Sequence, residues 1–231
     1  MTHAYPTPDD RKRAAAEAAV ALIQPGMLVG LGTGSTAAHA VEALGRAVAE
    51  GLDVRAVATS RATATHAARL GIAVLKPHTV SRIDLCIDGV DEIDPAFLAI
   101  KGAGGAMLRE KIVAGMAARM IAIADDSKAV ARLGGHPVPV EVLPLAQAFV
   151  ARAVQDLGGD PVPRIDGAGA LVKTDQDNII LDAHFTGAQD WRAIAARMDA
   201  IPGLLGHGLF LDEVQTLCLG TADGAVLTER P

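Results

Sequence analysis

The sequence contains very few aromatic residues. Phe, Tyr and Trp make up 3% of its 231 residues, although half of all residues are hydrophobic. The core must therefore be built from Ala, Val, Leu and Ile, which is the usual composition of parallel sheets covered by helices. This shortage favours an α/β fold over a β-sandwich.

The chain also has only two cysteines and no excess of positive charge. Cys86 and Cys218 lie far apart in apolar runs without metal-ligand spacing, so we interpret both as free thiols in a reducing compartment. The net charge of -6 argues against nucleic acid as a partner, because binding to it depends on clustered Lys and Arg.

No apolar run reaches the ~18 to 20 residues that a membrane-spanning helix requires. A basic segment at residues 11–13 precedes an apolar stretch, but Glu17 interrupts that stretch and residues 24–26 lead into a strand pattern. We therefore expect an amphipathic first helix rather than a secretory signal, no membrane partner and a cytoplasmic location.

Strand-like apolar runs alternate with helical stretches in the first half of the chain. The spacing predicts strands at residues 27–31, 54–59, 72–75, 83–88 and 120–125, with helices at 36–49 and 61–70. Gly51 and Gly71 fall at the predicted helix ends, and Ser35 and Ser60 fall at the predicted starts. This βαβ alternation predicts a mostly parallel sheet.

The pattern changes after residue 135. Strands are predicted at residues 138–144, 171–174 and 179–185, and helices at 145–157 and 191–198. This order, with another strand after Gly203, predicts a smaller α+β domain of ferredoxin-like type over residues 133–205. The run at 214–219 is expected to return to the main sheet, so the main domain would comprise residues 1–132 and 206–231.

A glycine-rich turn, Gly30-Leu-Gly-Thr-Gly-Ser-Thr36, joins the first predicted strand to a helix. Free backbone N–H groups and the positive helix end make phosphate the natural ligand of such a turn. The dinucleotide motif would need glycine at position 35, and the P-loop would need lysine before it, so both nucleotide interpretations are weakened. A tight βα turn without a ligand stays open as an alternative.

Acidic residues follow the fourth predicted strand. Asp88 ends that strand, and Asp91, Glu92 and Asp94 lie in the loop behind it. Ligands of open α/β sheets bind beyond such strand ends, where the glycine turn and the loop at residues 125–128 are also expected. The spacing fits no EF-hand and no histidine is close, so we expect no metal site, while a solvated acidic loop is a further alternative.

Glu110 lies on the apolar face of the next predicted helix, with Met107, Val113 and Ala114. Partial burial would raise its pKa toward the range of a general base. Lys101 precedes a second glycine turn, which could fold it back near Glu110 to stabilise a developing oxyanion. The alternatives are that Glu110 reaches the surface or pairs with a distant base, and that Lys101 is an ordinary surface lysine.

Taken together, the segments at residues 30–37, 88–92, 101–111 and 124–128 resemble those of the A-type ribose-5-phosphate isomerases. The likeness continues in colinear order through residues 138–144, 157–159, 178–182, 201–203 and 220–224. The resemblance implies a Rossmann-like main domain with helices on both faces of its sheet, a smaller ferredoxin-like domain, and a homodimer or homotetramer. It also implies interconversion of ribose 5-phosphate and ribulose 5-phosphate through an enediolate, in the pentose phosphate pathway, without metal or organic cofactor.

The same resemblance implies roles for individual residues. Glu110 matches the proton-transferring carboxylate of the family, and Lys101 matches its lysine near the substrate oxygens. From the reaction that these residues fit, we further expect Lys101 to balance the enediolate charge. Asp88 and Asp91 are expected to assist ring opening and to hold hydroxyls. The residues that would bind substrate are Lys12, Thr33, Gly34, Ser35, Thr36, Asp88, Gly89, Val90, Asp91, Lys101, Gly102, Ala103, Gly104 and Lys128.

Two residues depart from the pattern of this family. Ala103 stands where glycine is usual, and it would strain the turn if it required a positive φ. Asp126 stands where a smaller neutral residue is commoner, and it could pair with Lys128 and weaken its hold on substrate.

Other protein classes share this general architecture. A sugar-phosphate sensor of a transcriptional regulator would need a DNA-binding module, for which the roughly 25 residues before the first predicted strand are too few and the chain too acidic. A coenzyme A transferase or a sugar-phosphate deaminase of related fold is the nearer enzymatic alternative.

Overall fold

The computed structural model describes residues 4–231, which form six α-helices and three β-sheets. The strands are β1 (Leu28–Leu31), β2 (Arg55–Ala58), β3 (Ala73–Leu75), β4 (Leu85–Gly89), β5 (Glu92–Ile93), β6 (Ala99–Ile100), β7 (Met120–Asp125), β8 (Val138–Val142), β9 (Asp160–Pro163), β10 (Ile179–His184), β11 (Leu204–His207), β12 (Leu209–Phe210), β13 (Val214–Thr221) and β14 (Gly224–Glu229). The helices are α1 (Pro8–Val20), α2 (Ser35–Ala49), α3 (Arg61–Arg69), α4 (Met107–Met116), α5 (Gln147–Asp156) and α6 (Trp191–Asp199), with 3-10 turns at Pro77–Thr79, Asp126–Lys128 and Pro144–Ala146.

The largest sheet has seven strands in the order β14-β13-β7-β4-β1-β2-β3. Every neighbouring pair in it is parallel except β13 with β14. Successive side chains of one strand enter different cores: Ile121 packs with α1, α2 and α3, whereas Met120 packs with α4. This confirms the predicted α/β class, with a mostly parallel sheet and helices on both faces, and the predicted return of the run at 214–219 to the main sheet.

A second, antiparallel sheet of four strands has the order β11-β8-β10-β9. In chain order its elements run β8, α5, β9, β10, α6, β11, and α5 and α6 bury Val150, Val154 and Met198 in its core. β11 extends to His207, so the boundary predicted between residues 205 and 206 falls inside a strand of this sheet. The division into two domains stays a prediction.

The second strand of this sheet is not where the sequence pattern predicted it. β9 occupies Asp160–Pro163, and the predicted strand at 171–174 makes only isolated bridges through Leu171 and Lys173. Pro161 and Pro163 disguise β9 in the sequence, yet both are tolerated because this strand pairs on one side only, with β10. The prediction at 171–174 is therefore wrong.

The helix boundaries agree with three of the four predicted signals. Gly51 and Gly71 have φ values of 107° and 79°, and the Ser60 hydroxyl accepts a hydrogen bond from the backbone N–H of Thr63 at the start of α3. The fourth signal is wrong, because Gly34 occupies the N-cap position of α2 with a φ of 113° and Ser35 is the first helical residue. No side chain caps this helix start.

Cys86 and Cys218 are buried free thiols, as predicted. The sequence pattern did not predict a third sheet, which has three strands in the order β12-β6-β5. Lys101 directly follows β6, the central strand of this sheet.

No helix between residues 4 and 231 is long and apolar enough to cross a membrane.

The contact between α1 and β13 predicts a large cost for one glycine substitution. A Cβ on Gly220 would lie 1.9 Å from the carbonyl oxygen of Arg11, and this backbone atom cannot move without shifting α1. We expect Gly220→Ala to lower the free energy of unfolding by about 1–3 kcal/mol or more in urea denaturation. Gly115→Ala, in the exposed last turn of α4 with no atom within 4 Å of the added Cβ, should raise it by about 0.5–1 kcal/mol. Equal stability of the two variants would contradict this packing.

Candidate active site

A cavity of about 260 Å³ opens at the C-terminal ends of β1 and β4. The side chains and backbone that line it are those of Lys12, Thr33, Gly34, Ser35, Thr36, Gly89, Val90, Asp91, Lys101, Gly102, Ala103, Gly104, Glu110 and Lys128. Every residue predicted to bind substrate lines this cavity except Asp88, which lies beneath it. The structure therefore brings residues from five separate segments of the chain to one place.

The floor of the cavity contains three buried charged groups. The Nζ atom of Lys101 lies 2.9 Å from Oδ2 of Asp88 and 3.3 Å from Oε2 of Glu110, and all three side chains are at most 3% exposed. Lys101 also donates a short hydrogen bond to the carbonyl oxygen of Gly89. The two carboxylate oxygens accept no hydrogen bond from the described residues, so the ammonium group is their nearest compensation. We call Asp88, Lys101 and Glu110 the buried triad.

The proton affinities of the buried triad follow from its isolation from water. Burial and the neighbouring Asp88 charge raise the pKa of Glu110 to about 8, although the Lys101 ammonium opposes this rise. Burial also raises the pKa of Asp88 above its usual range. Burial alone would lower the pKa of Lys101, but the carboxylates of Asp88 and Glu110 outweigh it and raise that pKa. Lys101 is thus a permanent cation, and Glu110 can gain or lose a proton near neutral pH.

The backbone holds the buried triad from two sides. Oδ1 of Asp88 accepts hydrogen bonds from the backbone N–H groups of Gly89 (2.7 Å) and Thr33 (3.1 Å). The approach of the first glycine turn is so close that a Cβ on Gly32 would lie 1.9 Å from Oδ1 of Asp88. The backbone N–H of Lys101 donates to the carbonyl oxygen of Gly208 at 2.9 Å, which fixes the lysine at the end of β6.

Phe210 is a neighbour of the buried triad that the sequence analysis missed. Its ring centroid lies 5.3 Å from Nζ of Lys101 and 4.4 Å from Nζ of Lys111. An aromatic ring at this distance stabilises a buried cation electrostatically. No local motif marks Phe210 in the sequence, because it is more than a hundred residues from Lys101.

Glu110 occupies the face of α4 that the spacing predicted. Met107, Glu110, Val113 and Ala114 are the buried residues of this helix. The burial of Glu110 excludes a surface position, and its basic partner is Lys101, nine residues earlier, rather than a distant base. The helix begins at Met107, directly after the glycine turn.

The opposite end of the cavity is polar and positively charged. The backbone N–H groups in the first turn of α2 have no intrahelical partner, and Gly34 at the N-cap position provides no side chain to accept hydrogen bonds from them. Nζ of Lys12 lies 3.2 Å from Oγ of Ser35, and Lys128 lines the same region. Two lysines and a helix N-terminus together favour an anion.

The four acids of the 88–94 segment have different partners. Oδ2 of Asp91 accepts a hydrogen bond from the backbone N–H of Ala103 at 2.9 Å, which places Asp91 at the cavity. The carboxylate of Glu92 binds the backbone N–H groups of Gly134 and His136, and that of Asp94 binds those of Ala96 and Leu98. Glu92 and Asp94 therefore shape the backbone, and the segment is not a solvated acidic loop. Between residues 4 and 231 no three His, Cys, Asp or Glu side chains are arranged to hold a metal ion.

The two departures from the family pattern have local explanations. Ala103 does not adopt a positive φ, because Gly102 and Gly105 take those positions with values of 101° and 78°. Asp126 does not pair with Lys128; both of its carboxylate oxygens accept hydrogen bonds from Arg11, at 2.8 and 3.0 Å. The condition for strain at Ala103 is therefore not met, and Asp126 pairs with Arg11 instead of Lys128.

Two supporting contacts at the rim were also not predicted. The Thr33 hydroxyl contacts that of Thr59 at 2.7 Å, and Thr59 follows β2 directly, where strand-end reasoning could have found it. Arg164, which follows β9, donates hydrogen bonds to the carbonyl oxygens of Gly102 and Ala103. It was missed because β9 itself was placed wrongly.

Residues 55–224 match the family model described as ribose 5-phosphate isomerase A (phosphoriboisomerase A). A curated ribose-5-phosphate isomerase A from Sphingopyxis alaskensis is 50% identical over 219 residues, which cover 95% of this chain and 96% of the relative.

Solved structures give the same result. Ribose 5 phosphate isomerase A from Neisseria gonorrhoeae superposes with a TM-score of 0.90 at 37% identity, covering 97% of this chain and 98% of that one. A D-ribose-5-phosphate isomerase solved in complex with phospho-erythronic acid superposes with a TM-score of 0.93 at 32% identity, covering 97% and 100%. The chain belongs to the ribose 5-phosphate isomerase A family.

Proposed function

We propose that this chain interconverts D-ribose 5-phosphate and D-ribulose 5-phosphate in the cavity above the buried triad. The observation that carries the proposal is the placement of one titratable carboxyl and one permanent ammonium, 3.3 Å apart, on the floor of an anion-binding cavity. The solved relative that holds phospho-erythronic acid supports a phosphorylated, acyclic ligand. A coupled assay for ribulose 5-phosphate, run in EDTA, tests the activity; no turnover of ribose 5-phosphate would refute it.

The proposed reaction moves one proton between two carbons. The Glu110 carboxylate removes the C2 proton of the open-chain aldose, and the C2–H electron pair forms a double bond to C1 while negative charge develops on the C1 oxygen. The protonated Glu110 then returns the proton to C1, and the proton of the C2 hydroxyl passes to the C1 oxygen, which leaves the C2 carbonyl of the ketose. Glu110 ends in its starting state, so no cofactor is consumed.

Lys101 supplies the charge that this step requires. The oxyanion of the enediolate develops in a site where the ammonium is already fixed by Asp88 and by the Gly89 carbonyl, so little reorganisation accompanies the reaction. Asp88 lies beneath the cavity and acts through Lys101. Asp91, at the cavity surface, is placed to accept hydrogen bonds from sugar hydroxyls and to assist ring opening.

The substrate phosphate is assigned to the start of α2. Ser35, Thr36 and the uncapped N–H groups of this turn, together with Lys12 and Lys128, would surround its oxygens. Because this anchor is remote from the reacting carbons, its binding energy positions C1 and C2 against Glu110.

The family resemblance also supports a homodimer or homotetramer and a cytoplasmic location. Leu145 and Phe149 support a contact between copies, because these large apolar side chains are 91% and 58% exposed within one short segment. Sedimentation of the purified protein would measure the oligomer size.

Replacement of Glu110 by glutamine removes the proton carrier and keeps the side-chain shape. We expect Glu110→Gln to lower kcat by about 10²- to 10⁴-fold and to leave KM within a factor of a few, because the phosphate anchor is untouched. Steady-state kinetics of purified protein measures both constants. Glu50→Gln, an exposed carboxylate on the far end of α2, is the matched control and should behave like the wild type. Near-normal turnover by Glu110→Gln would remove Glu110 from this role.

The raised pKa of Glu110 predicts how the rate depends on pH. Only the ionised carboxylate accepts a proton, and with a pKa of about 8 it is ionised in about a tenth of the free protein at pH 7. The value of kcat/KM should therefore rise with pH through the range from about 7 to about 9 and level off above it. Lys101 stays protonated across this range, so it should not lower the rate at the alkaline side. A flat profile between pH 6.5 and 9 would contradict the burial argument.

The phosphate assignment predicts a coupling between one lysine and one substrate group. Unphosphorylated ribose should be a very poor substrate, and Lys12→Ala should lower kcat/KM for ribose 5-phosphate by about 10- to 100-fold, as expected for a lost charge-assisted hydrogen bond. The slow reaction of ribose should be unchanged by Lys12→Ala. Lys76→Ala, an exposed lysine outside the cavity, is the control. Equal rates with ribose and ribose 5-phosphate would overturn the assignment.

A further inference from the structure

The side chain of Arg164 connects the four-stranded sheet to the glycine turn of the active site. Its guanidinium forms a two-pronged pair with the carboxylate of Asp182 on β10, with Nε 2.8 Å from Oδ2 and a second short contact to Oδ1. The remaining nitrogen donates to the carbonyl oxygens of Ala103 (2.9 Å) and Gly102 (3.2 Å). The Arg164 side chain therefore links strand β10 of the four-stranded sheet to the glycine turn of the active site.

These two carbonyl oxygens belong to the turn that directly follows Lys101. Gly102 also accepts the hydrogen bond from Gly105 that closes the turn, at 2.9 Å. The backbone N–H of Ala103 donates to the carboxylate of Asp91. A shift of this turn would therefore move Lys101 and Asp91 together, and both face the reacting end of the proposed substrate.

The phosphate end of the cavity has no such connection. Lys12, Ser35 and Lys128 lie on α1, α2 and the Asp126–Lys128 turn, none of which contacts Arg164 in the described hydrogen bonds and ion pairs. The two ends of the cavity are thus held by different parts of the fold.

We propose that Arg164, held by Asp182, is a positioning residue that fixes the 102–105 turn, and with it Lys101 and Asp91, for the chemical step. This inference rests on the proposed isomerase function. Arg164 does not line the cavity and is not proposed to touch substrate. These contacts require a guanidinium, because two of its nitrogens can bind the carboxylate of Asp182 while the third donates to the two carbonyl oxygens of the turn. An ammonium group could retain the charge pair but could not span both partners.

The first test uses two substitutions of Arg164. We expect Arg164→Lys to keep the thermal unfolding midpoint close to that of the wild type and to lower kcat by about 10- to 100-fold, as reacting groups lose their alignment. Arg164→Ala should lower kcat by at least as much. The inhibition constant of inorganic phosphate, which reports on the α2 end alone, should stay within twofold of the wild type in both variants.

A second test uses chemical rescue. Arg164 borders a cavity of about 310 Å³ that also contacts Ala103, Gly104 and Gly105, so removal of the side chain leaves an opening to solvent. Millimolar guanidinium chloride should restore kcat of Arg164→Ala several-fold, whereas sodium chloride of equal ionic strength should not. Neither salt should increase kcat of Arg164→Lys or of the wild type.

Arg192→Ala is the matched control. Arg192 also forms a two-pronged pair with an aspartate, Asp212, and also donates to a backbone carbonyl oxygen, that of Leu211, but it lies away from the cavity. Its kcat should match the wild type. The proposal is overturned if Arg164→Lys turns over at the wild-type rate, or if kcat, phosphate inhibition and unfolding midpoint all change together. If the wild type itself lacks activity, the isomerase proposal fails first.

Discussion

The ion pairs of Lys101 with Asp88 and Glu110 are the interaction on which the rest of this site depends. Two carboxylates and one ammonium are buried together, so full ionisation leaves one negative charge uncompensated in a medium of low polarity. Desolvation of such a group costs several kcal/mol, and removal of one partner would leave another charge unpaired. The protein offsets part of this cost with two backbone N–H groups on Asp88, one carbonyl on Lys101 and the ring of Phe210. The uncompensated part of this electrostatic cost raises the pKa of Glu110, which therefore binds a proton more tightly than an exposed carboxyl does.

The fold explains why these groups meet. β1 and β4 are neighbours in the parallel sheet, so the turn after β1 and the acids after β4 emerge at the same edge. The short strand β6 then returns the chain to this edge, where Lys101 follows it. Glu110 lies on α4, which packs on the face of the sheet opposite to α1 and α2. In the proposed complex, the start of α2 binds the substrate phosphate, whereas Lys101 and Glu110 act on the reacting carbons. Different elements of the fold thus carry out substrate binding and proton transfer.

Much of this arrangement was predictable from the sequence because it obeys local rules. Parallel strands buried on both faces appear as continuous apolar runs, and the helix-spaced apolar residues around Glu110 placed it on the buried face of α4. Edge strands follow weaker rules: β9 contains two prolines, and β14 exposes nearly all of its residues, so neither has a clear hydrophobic pattern. Contacts between distant segments follow no local rule at all. Three such contacts depend on the assembled fold. Asp126 pairs with Arg11 rather than with the nearby Lys128, and the ring of Phe210 lies beside the ammonium of Lys101. Arg164 donates a hydrogen bond to the carbonyl oxygen of Ala103.

The central claim is that Glu110 is the group that carries the proton between C2 and C1. Incubation of ribose 5-phosphate with the protein in deuterium oxide, followed by NMR of the recovered sugar, measures exchange at these carbons directly. The wild type should introduce deuterium from solvent at C2 of the aldose and C1 of the ketose, whereas Glu110→Gln should introduce it about 10²- to 10⁴-fold more slowly. Wild-type rates of deuterium incorporation by Glu110→Gln would show that another group moves the proton and would contradict the account.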